Sequence, residues 1–108
     1  MAQGAVFSPR FTHAWLTDAL RRRVTGPDLT MLVESSFGLG YMRPSMTFFT
    51  PKAGNDSAFG HTGAGGSIGL GDPRAGLTIA YLPNMMGDQL SGDLRAYRLT
   101  EAAYAALS

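Results

Sequence analysis

The stretch Phe59-Gly60-His61-Thr62-Gly63-Ala64-Gly65-Gly66-Ser67-Ile68-Gly69 decides the fold of this chain. Together with Gly71 it crowds glycines into a region that otherwise reads as strand. Glycine weakens a strand, so such crowding marks close approach by a ligand or by a second backbone. Two phosphate-binding patterns fail here. A Walker A loop needs lysine after its second glycine, and Gly65 is followed by Gly66-Ser67. A dinucleotide pattern begun at Gly63 meets Ile68 where it needs glycine. No helix can follow either, because Asp72-Pro73 and another apolar run come next. A plain tight hairpin, its glycines permitting a bulge or helix packing, is the other reading, and the residues alone leave both open.

Outward from this segment the pattern is that of short strands. Asp72-Pro73-Arg74-Ala75-Gly76 is a turn, and Leu77-Thr78-Ile79-Ala80-Tyr81-Leu82 a strand that returns antiparallel. Upstream, Phe37-Gly38-Leu39-Gly40-Tyr41-Met42 alternates large and small residues with period two and predicts a strand ended by Pro44. Met46-Thr47-Phe48-Phe49-Thr50 predicts another, before the polar turn 51–56.

Helices flank the strands. Ser8-Pro9 is a helix start, with a side-chain oxygen at N-cap and proline where its missing N–H costs nothing. Phe11, Trp15, Leu16, Ala19 and Leu20 follow at helical spacing, Asp18 and Arg22 can pair at i,i+4, and Gly26-Pro27 ends a helix predicted over 9–24. At the other end Ala96, Leu99, Ala103, Ala106 and Leu107 predict one apolar helix face after Ser91-Gly92-Asp93. The expected class is α+β, an antiparallel sheet of three to four strands flanked by an N-terminal and a C-terminal helix.

Composition bounds the function. A chain of 108 residues buries about 65% of its unfolded surface, so its stability margin is thin. With 44% hydrophobic and 16% charged residues it is globular rather than disordered. A net charge of +1 and one basic run, Arg21-Arg22-Arg23, make no nucleic-acid footprint; a solvated helix end accounts for the run. Zero cysteines exclude disulfides, thiolate metal sites and cysteine nucleophiles, and His13 and His61 are too far apart to suggest a ligand pair. No metal or cofactor is expected. Met1-Ala2-Gln3-Gly4-Ala5-Val6 is no signal peptide, and no run approaches the ~18 apolar residues of a membrane span. The expectation is a cytoplasmic protein that engages no membrane.

The order Gly38-Leu39-Gly40-Tyr41, His61-Thr62-Gly63-Ala64-Gly65-Gly66, Asp72-Pro73 through Gly76-Leu77, and Leu82-Pro83-Asn84 through Gly87 resembles the serine β-lactamase, penicillin-binding-protein and related-esterase family. The likeness covers roughly residues 36–108 and implies the C-terminal part of such an enzyme. The chain 1–108 would then be a single partial domain of the β-lactamase/transpeptidase-like fold. By the same resemblance the His-Thr-Gly strand lines one wall of an acyl-transfer cleft. His61 stands where many members carry lysine, and would orient or polarise the active-site protons. The backbone N–H of Ala64 would donate to the oxyanion of a tetrahedral intermediate, a term of ~3–4 kcal/mol per donor. Thr62 would offer its hydroxyl to substrate, and Gly63 and Gly65 would let it approach. Plainer readings stay open: an exposed strand histidine needs no role, and threonine suits any strand.

That family takes its nucleophile from Ser-x-x-Lys and a second motif from Tyr-x-Asn. The lone lysine here is Lys52, with Phe49 three residues before it. No serine is followed by lysine at three, and no tyrosine by asparagine at two; Tyr81 has Asn84 at three. A Ser-His-Asp arrangement of His61 with Asp72 or Asp56 stays open, because triads assemble in space. The expectation is a remnant or C-terminal segment of a β-lactamase-related serine hydrolase, from a truncated or split gene, inactive alone. It would meet an acyl substrate only when completed by an N-terminal segment, and would otherwise form homo-oligomers or aggregate. The alternative is a small non-catalytic binding or oligomeric interaction module.

Overall fold

The structure is a computed structural model that describes residues 9–107. Both the Ser8 cap and the N-terminal hexapeptide discussed above lie outside the described residues. In order, the elements are helix α1 (Pro9–Leu20), strands β1 (Val24–Pro27), β2 (Glu34–Phe37), β3 (Phe59–Thr62), β4 (Ile68–Asp72) and β5 (Leu77–Tyr81), and helix α2 (Leu94–Ala106). All strand pairings are antiparallel: β1 with β2, and β3-β4-β5 in that order. Met42 joins the two sheets, its N–H donating to the Gly60 carbonyl at 2.8 Å and its carbonyl accepting from Gly60 N–H at 3.1 Å.

The α+β class with flanking helices stands, while five local expectations are corrected. The first helix ends at Leu20 rather than 24, and Val24–Pro27 is a strand. Tertiary contacts stop it: the Ala19 carbonyl, due to bond the chain four residues on, accepts from Leu39 N–H at 2.8 Å instead. Arg22 does not pair with Asp18. Its guanidinium donates to Ser36 Oγ at 2.7 Å, the Pro44 carbonyl at 2.9 Å and the Asn55 carbonyl at 3.2 Å, while Asp18 holds Arg21 and Arg23. The basic run is therefore partly a clamp across the β2 loop.

Residues 38–41 form a loop, not a strand. Gly38 N–H donates to the Tyr41 carbonyl at 2.9 Å, Gly40 takes φ +81°, and a Cβ on Gly38 would lie 2.3 Å from the Ala19 carbonyl oxygen. The large–small alternation records a tight turn against the helix end. Residues 46–50 are not a strand either, because Ser45 and Phe48 exchange backbone hydrogen bonds at 3.1 and 3.3 Å and close a local turn.

The glycine-rich segment is itself a hairpin, β3 and β4, in addition to the expected β4–β5 hairpin. Asp72 shapes the second turn, its Oδ1 accepting from Arg74 N–H at 3.0 Å and Ala75 N–H at 3.3 Å. On the inner face Ile68 and Leu70 pack with Met42, Phe48, Ala58, and Ala96 and Tyr104 of α2, forming the core. The buried stripe of α2 is Ala96, Thr100 and Tyr104, at i, i+4 and i+8. Leu99 and Leu107, expected inside, are 51% and 56% exposed. The stripe shifts because two polar residues are satisfied internally: Thr100 Oγ1 donates to the Ala96 carbonyl at 2.8 Å, and Tyr104 Oη to Asp72 Oδ2 at 2.5 Å.

Candidate functional site

Period-two alternation along β3 and β4 sorts their side chains between two faces. Thr62, Ile68 and Leu70 are buried, while His61 and Gly69, paired across the strands, are exposed on the other face. His61 Nδ1 lies 2.6 Å from the Thr62 carbonyl oxygen. A carbonyl can only accept, so Nδ1 carries a proton and Nε2 is the nitrogen left for an incoming group. Asp72, considered above as a triad partner, is fully buried and bonded to Tyr104 on the opposite side of the sheet. The core and the Asp72 carboxylate together push the Tyr104 phenol's pKa well up from its ordinary value, burial being the larger cause.

Thr62 is 6% exposed, and its hydroxyl is turned inward. It donates to the Thr47 carbonyl at 2.8 Å and lies 2.5 Å from Ser91 Oγ, which also reaches that carbonyl at 2.7 Å. The threonine thereby anchors β3 to the 45–48 turn and to the segment before α2.

Gly63, Ala64 and Gly65 form the turn between β3 and β4. Gly63 N–H donates to the Ser67 carbonyl at 2.9 Å and Gly65 N–H to the Gln89 carbonyl at 3.0 Å. Ala64 is exposed, and none of the described residues accepts its N–H. A donor thus stands free between two donors that are spoken for. Gly65, at φ +89°, is covered by Met86, whose side-chain atoms would lie 2.7–2.9 Å from a Cβ there.

A strap that the sequence did not single out holds this turn. Gly87 N–H donates to the Gly65 carbonyl at 2.7 Å, and Arg95 Nη2 to the same oxygen at 3.1 Å. Asp93, the N-cap of α2, accepts from Arg95 N–H at 2.8 Å and from its guanidinium at 2.9 and 3.1 Å. Those bonds, the side-chain ones first, hold the Asp93 carboxyl below the ordinary carboxylate range and raise the Arg95 pKa. The polar entry Ser91-Gly92-Asp93 before the helix was legible, but the cap's reach through Arg95 to Gly65 was not.

On the exposed side, Tyr41, Phe59, His61, Gly69, Gly71 and Thr78 line an open cleft of about 490 Å³. Tyr41 and Phe59 meet edge to face, centroids 5.4 Å apart at 80°. These two aromatics were not foreseen; the alternation Phe59, His61 was the signal that could have found one of them. Among the described residues no group of three or more metal-ligating side chains converges, and no helix is long and apolar enough to cross a membrane.

No family profile matches the chain. It is 35% identical over 85 residues to "Esterase/beta-lactamase LipL" of Mycobacterium tuberculosis, covering 77% of this chain and 18% of that protein. Among solved structures it is similar to a novel penicillin-binding-protein homologue from Caulobacter crescentus, at 43% identity and TM-score 0.76, over 87% of this chain and 25% of that one. A family VIII carboxylesterase matches at 33% identity and TM-score 0.73, over 83% and 24%. The chain therefore spans between 18% and 25% of the length of these relatives.

Proposed function

The chain is related to the β-lactamase, penicillin-binding-protein and esterase family as a C-terminal portion of that fold, and from this premise we propose that it supplies one wall of an acyl-transfer site. In this reading Ala64 N–H is the oxyanion donor, and its standing free between the bonded N–H groups of Gly63 and Gly65 carries the assignment. His61 presents Nε2 to the reacting protons, with Nδ1 fixed on the Thr62 carbonyl. Thr62, Gly63 and Gly65 contribute through backbone, since the hydroxyl of the threonine and the Cα positions of both glycines are covered from within, Gly63 by Ser67 and Gly65 by Met86.

The nucleophile comes from elsewhere. No Ser-x-x-Lys occurs in the 108 residues, so this chain alone does not acylate and meets its acyl substrate only when an N-terminal segment completes the site. Purified alone, it should hydrolyse neither nitrocefin nor a p-nitrophenyl ester above a His61→Ala control. Turnover well above that control would refute the reading. A second role as an oligomeric interaction module is supported by the exposed apolar side chains, Leu82, Met85 and Leu94 among them.

A further inference from the structure

We propose that Arg95, oriented by Asp93, is a positioning residue that fixes the direction of the Ala64 N–H through two peptide units in series. The inference deepens the acyl-transfer reading and rests on it. Residues 63–66 make a β-turn: Gly66 N–H donates to the Gly63 carbonyl at 3.3 Å, and Gly65, the third residue, takes φ +89°. A positive φ there, with none at Ala64, is the type II pattern. The N–H of a turn's second residue closes no bond within the turn, which leaves Ala64 a donor to offer. A bond of 3.3 Å is a weak hold, so the stiffness of this turn comes from outside it.

A peptide unit is planar, so holding one end of it aims the other. Arg95 Nη2, at 3.1 Å, and Gly87 N–H, at 2.7 Å, grip the Gly65 carbonyl. The far end of that unit is Gly66 N–H, which grips the Gly63 carbonyl, and the far end of the Gly63 unit is Ala64 N–H. The guanidinium is itself held: Nε and Nη2 donate to Asp93 at 3.1 and 2.9 Å, and Nη1 to the Met85 carbonyl at 3.0 Å. Asp93 balances most of its charge, so what reaches Ala64 is chiefly direction, with a modest polarisation along the bonded chain. Two glycines make room for the pair. A Cβ on Gly66 would lie 2.6 Å from Asp93 Oδ2, and one on Gly87 2.8 Å from the same oxygen. Direction matters because an oxyanion donor acts only when aimed at the developing charge, and a misplacement of about 1 Å can cost about 10²-fold in rate.

NMR of the ¹⁵N,¹³C-labelled chain, without ligand, tests the relay. Arg95→Met should move the Ala64 and Gly66 amide protons and the Gly65 carbonyl carbon upfield, as expected of a carbonyl that has lost a donor. Arg95→Lys, which keeps a single compact donor, should fall in between. Asp93→Asn keeps the helix cap but frees the guanidinium, and should shift the same three signals. Arg98→Met removes an equal charge from an exposed position of the same helix and should leave them in place. Unmoved Ala64 and Gly66 amides in Arg95→Met would overturn the relay, as would equal shifts in Arg98→Met. Should Arg95→Met lose its dispersed spectrum, Asp93→Asn decides by the same signals. Once an N-terminal segment completes the site, Arg95→Met should lower kcat about tenfold with KM unchanged. A raised KM at unchanged kcat would make Arg95 a substrate-binding residue instead. The two readings part cleanly: an unmoved Ala64 amide sinks the relay and leaves the oxyanion assignment standing. A moved amide, with hydrolysis indifferent to Ala64→Pro, keeps the relay and sinks the oxyanion assignment.

Discussion

Gly60 and Gly69 belong to the same pair of strands, yet they should answer oppositely to one added methyl group. At Gly60 the new Cβ would drive into the Gly69 carbonyl from a backbone at φ +153°. Gly60→Ala should therefore cost about 3 kcal/mol or more in urea unfolding, enough to unfold a small domain. Gly69→Ala meets open space and should be neutral or gain about 0.5–1 kcal/mol through a stiffer unfolded chain. Equal losses would mean that the two positions are not distinguished as described. Sequence alone marked this segment as a place of close approach but could not say which glycine met what. The partners of Gly65 and Gly66, namely Met86, Asp93 and Arg95, lie about twenty to thirty residues away and announce themselves only after the chain has folded back. Arg22 is the same lesson at a charged residue. Helical spacing offered it Asp18, while three polar atoms, one on β2 and two on loops, hold it instead of that exposed pair.

At the scale of elements, α2 is fastened by the Tyr104–Asp72 hydrogen bond. Tyr104→Phe removes the donor from a fully buried carboxylate and should destabilise the chain by about 1–3 kcal/mol. The folded protein keeps the phenol proton that the unfolded chain releases near pH ~10, so stability is intact below that pH and falls as pH rises beyond it. Tyr104→Phe should flatten that alkaline loss in thermal melts; an unchanged slope would contradict the raised phenol. Asp93→Ala should fray the first turn of α2 and release Arg95 from the Gly65 carbonyl, seen as lower helicity and a lower Tm. Strand β5 and helix α2 were legible because Leu77–Leu82 is bounded by turn chemistry and the helix has its cap. The helix face was not, since Thr100 and Tyr104 read as polar while both are buried with their hydroxyls satisfied. Residues 38–41 misled for a related reason: period two describes a strand and equally a glycine turn pressed on a helix end.

For the molecule as a whole, the core lies on one side of the sheet and the other side is open. Fourteen large apolar side chains among the described residues are exposed, and β5 ends its sheet with no charged residue between Leu77 and Tyr81. Such an edge invites pairing. We expect micromolar samples to sediment as dimers or larger species, and Ala80→Lys to move them toward monomer. A monodisperse, cooperatively melting monomer would instead favour a self-sufficient small domain. The candidate wall itself was legible as Phe59 through Gly69, and the Tyr41 side of the cleft was not, because it comes from a loop that the alternation disguised as a strand. The central claim, a donor and a histidine awaiting a nucleophile, is met most directly by complementation. The chain should be mixed with the part of the Caulobacter penicillin-binding-protein homologue that lacks the matching quarter, and p-nitrophenyl ester hydrolysis followed. The account predicts turnover in the mixture alone, lost on His61→Ala and reduced about 10²–10³-fold by Ala64→Pro, which deletes the proposed oxyanion N–H. Hydrolysis by the unmixed chain, or a mixture indifferent to Ala64→Pro, would contradict it.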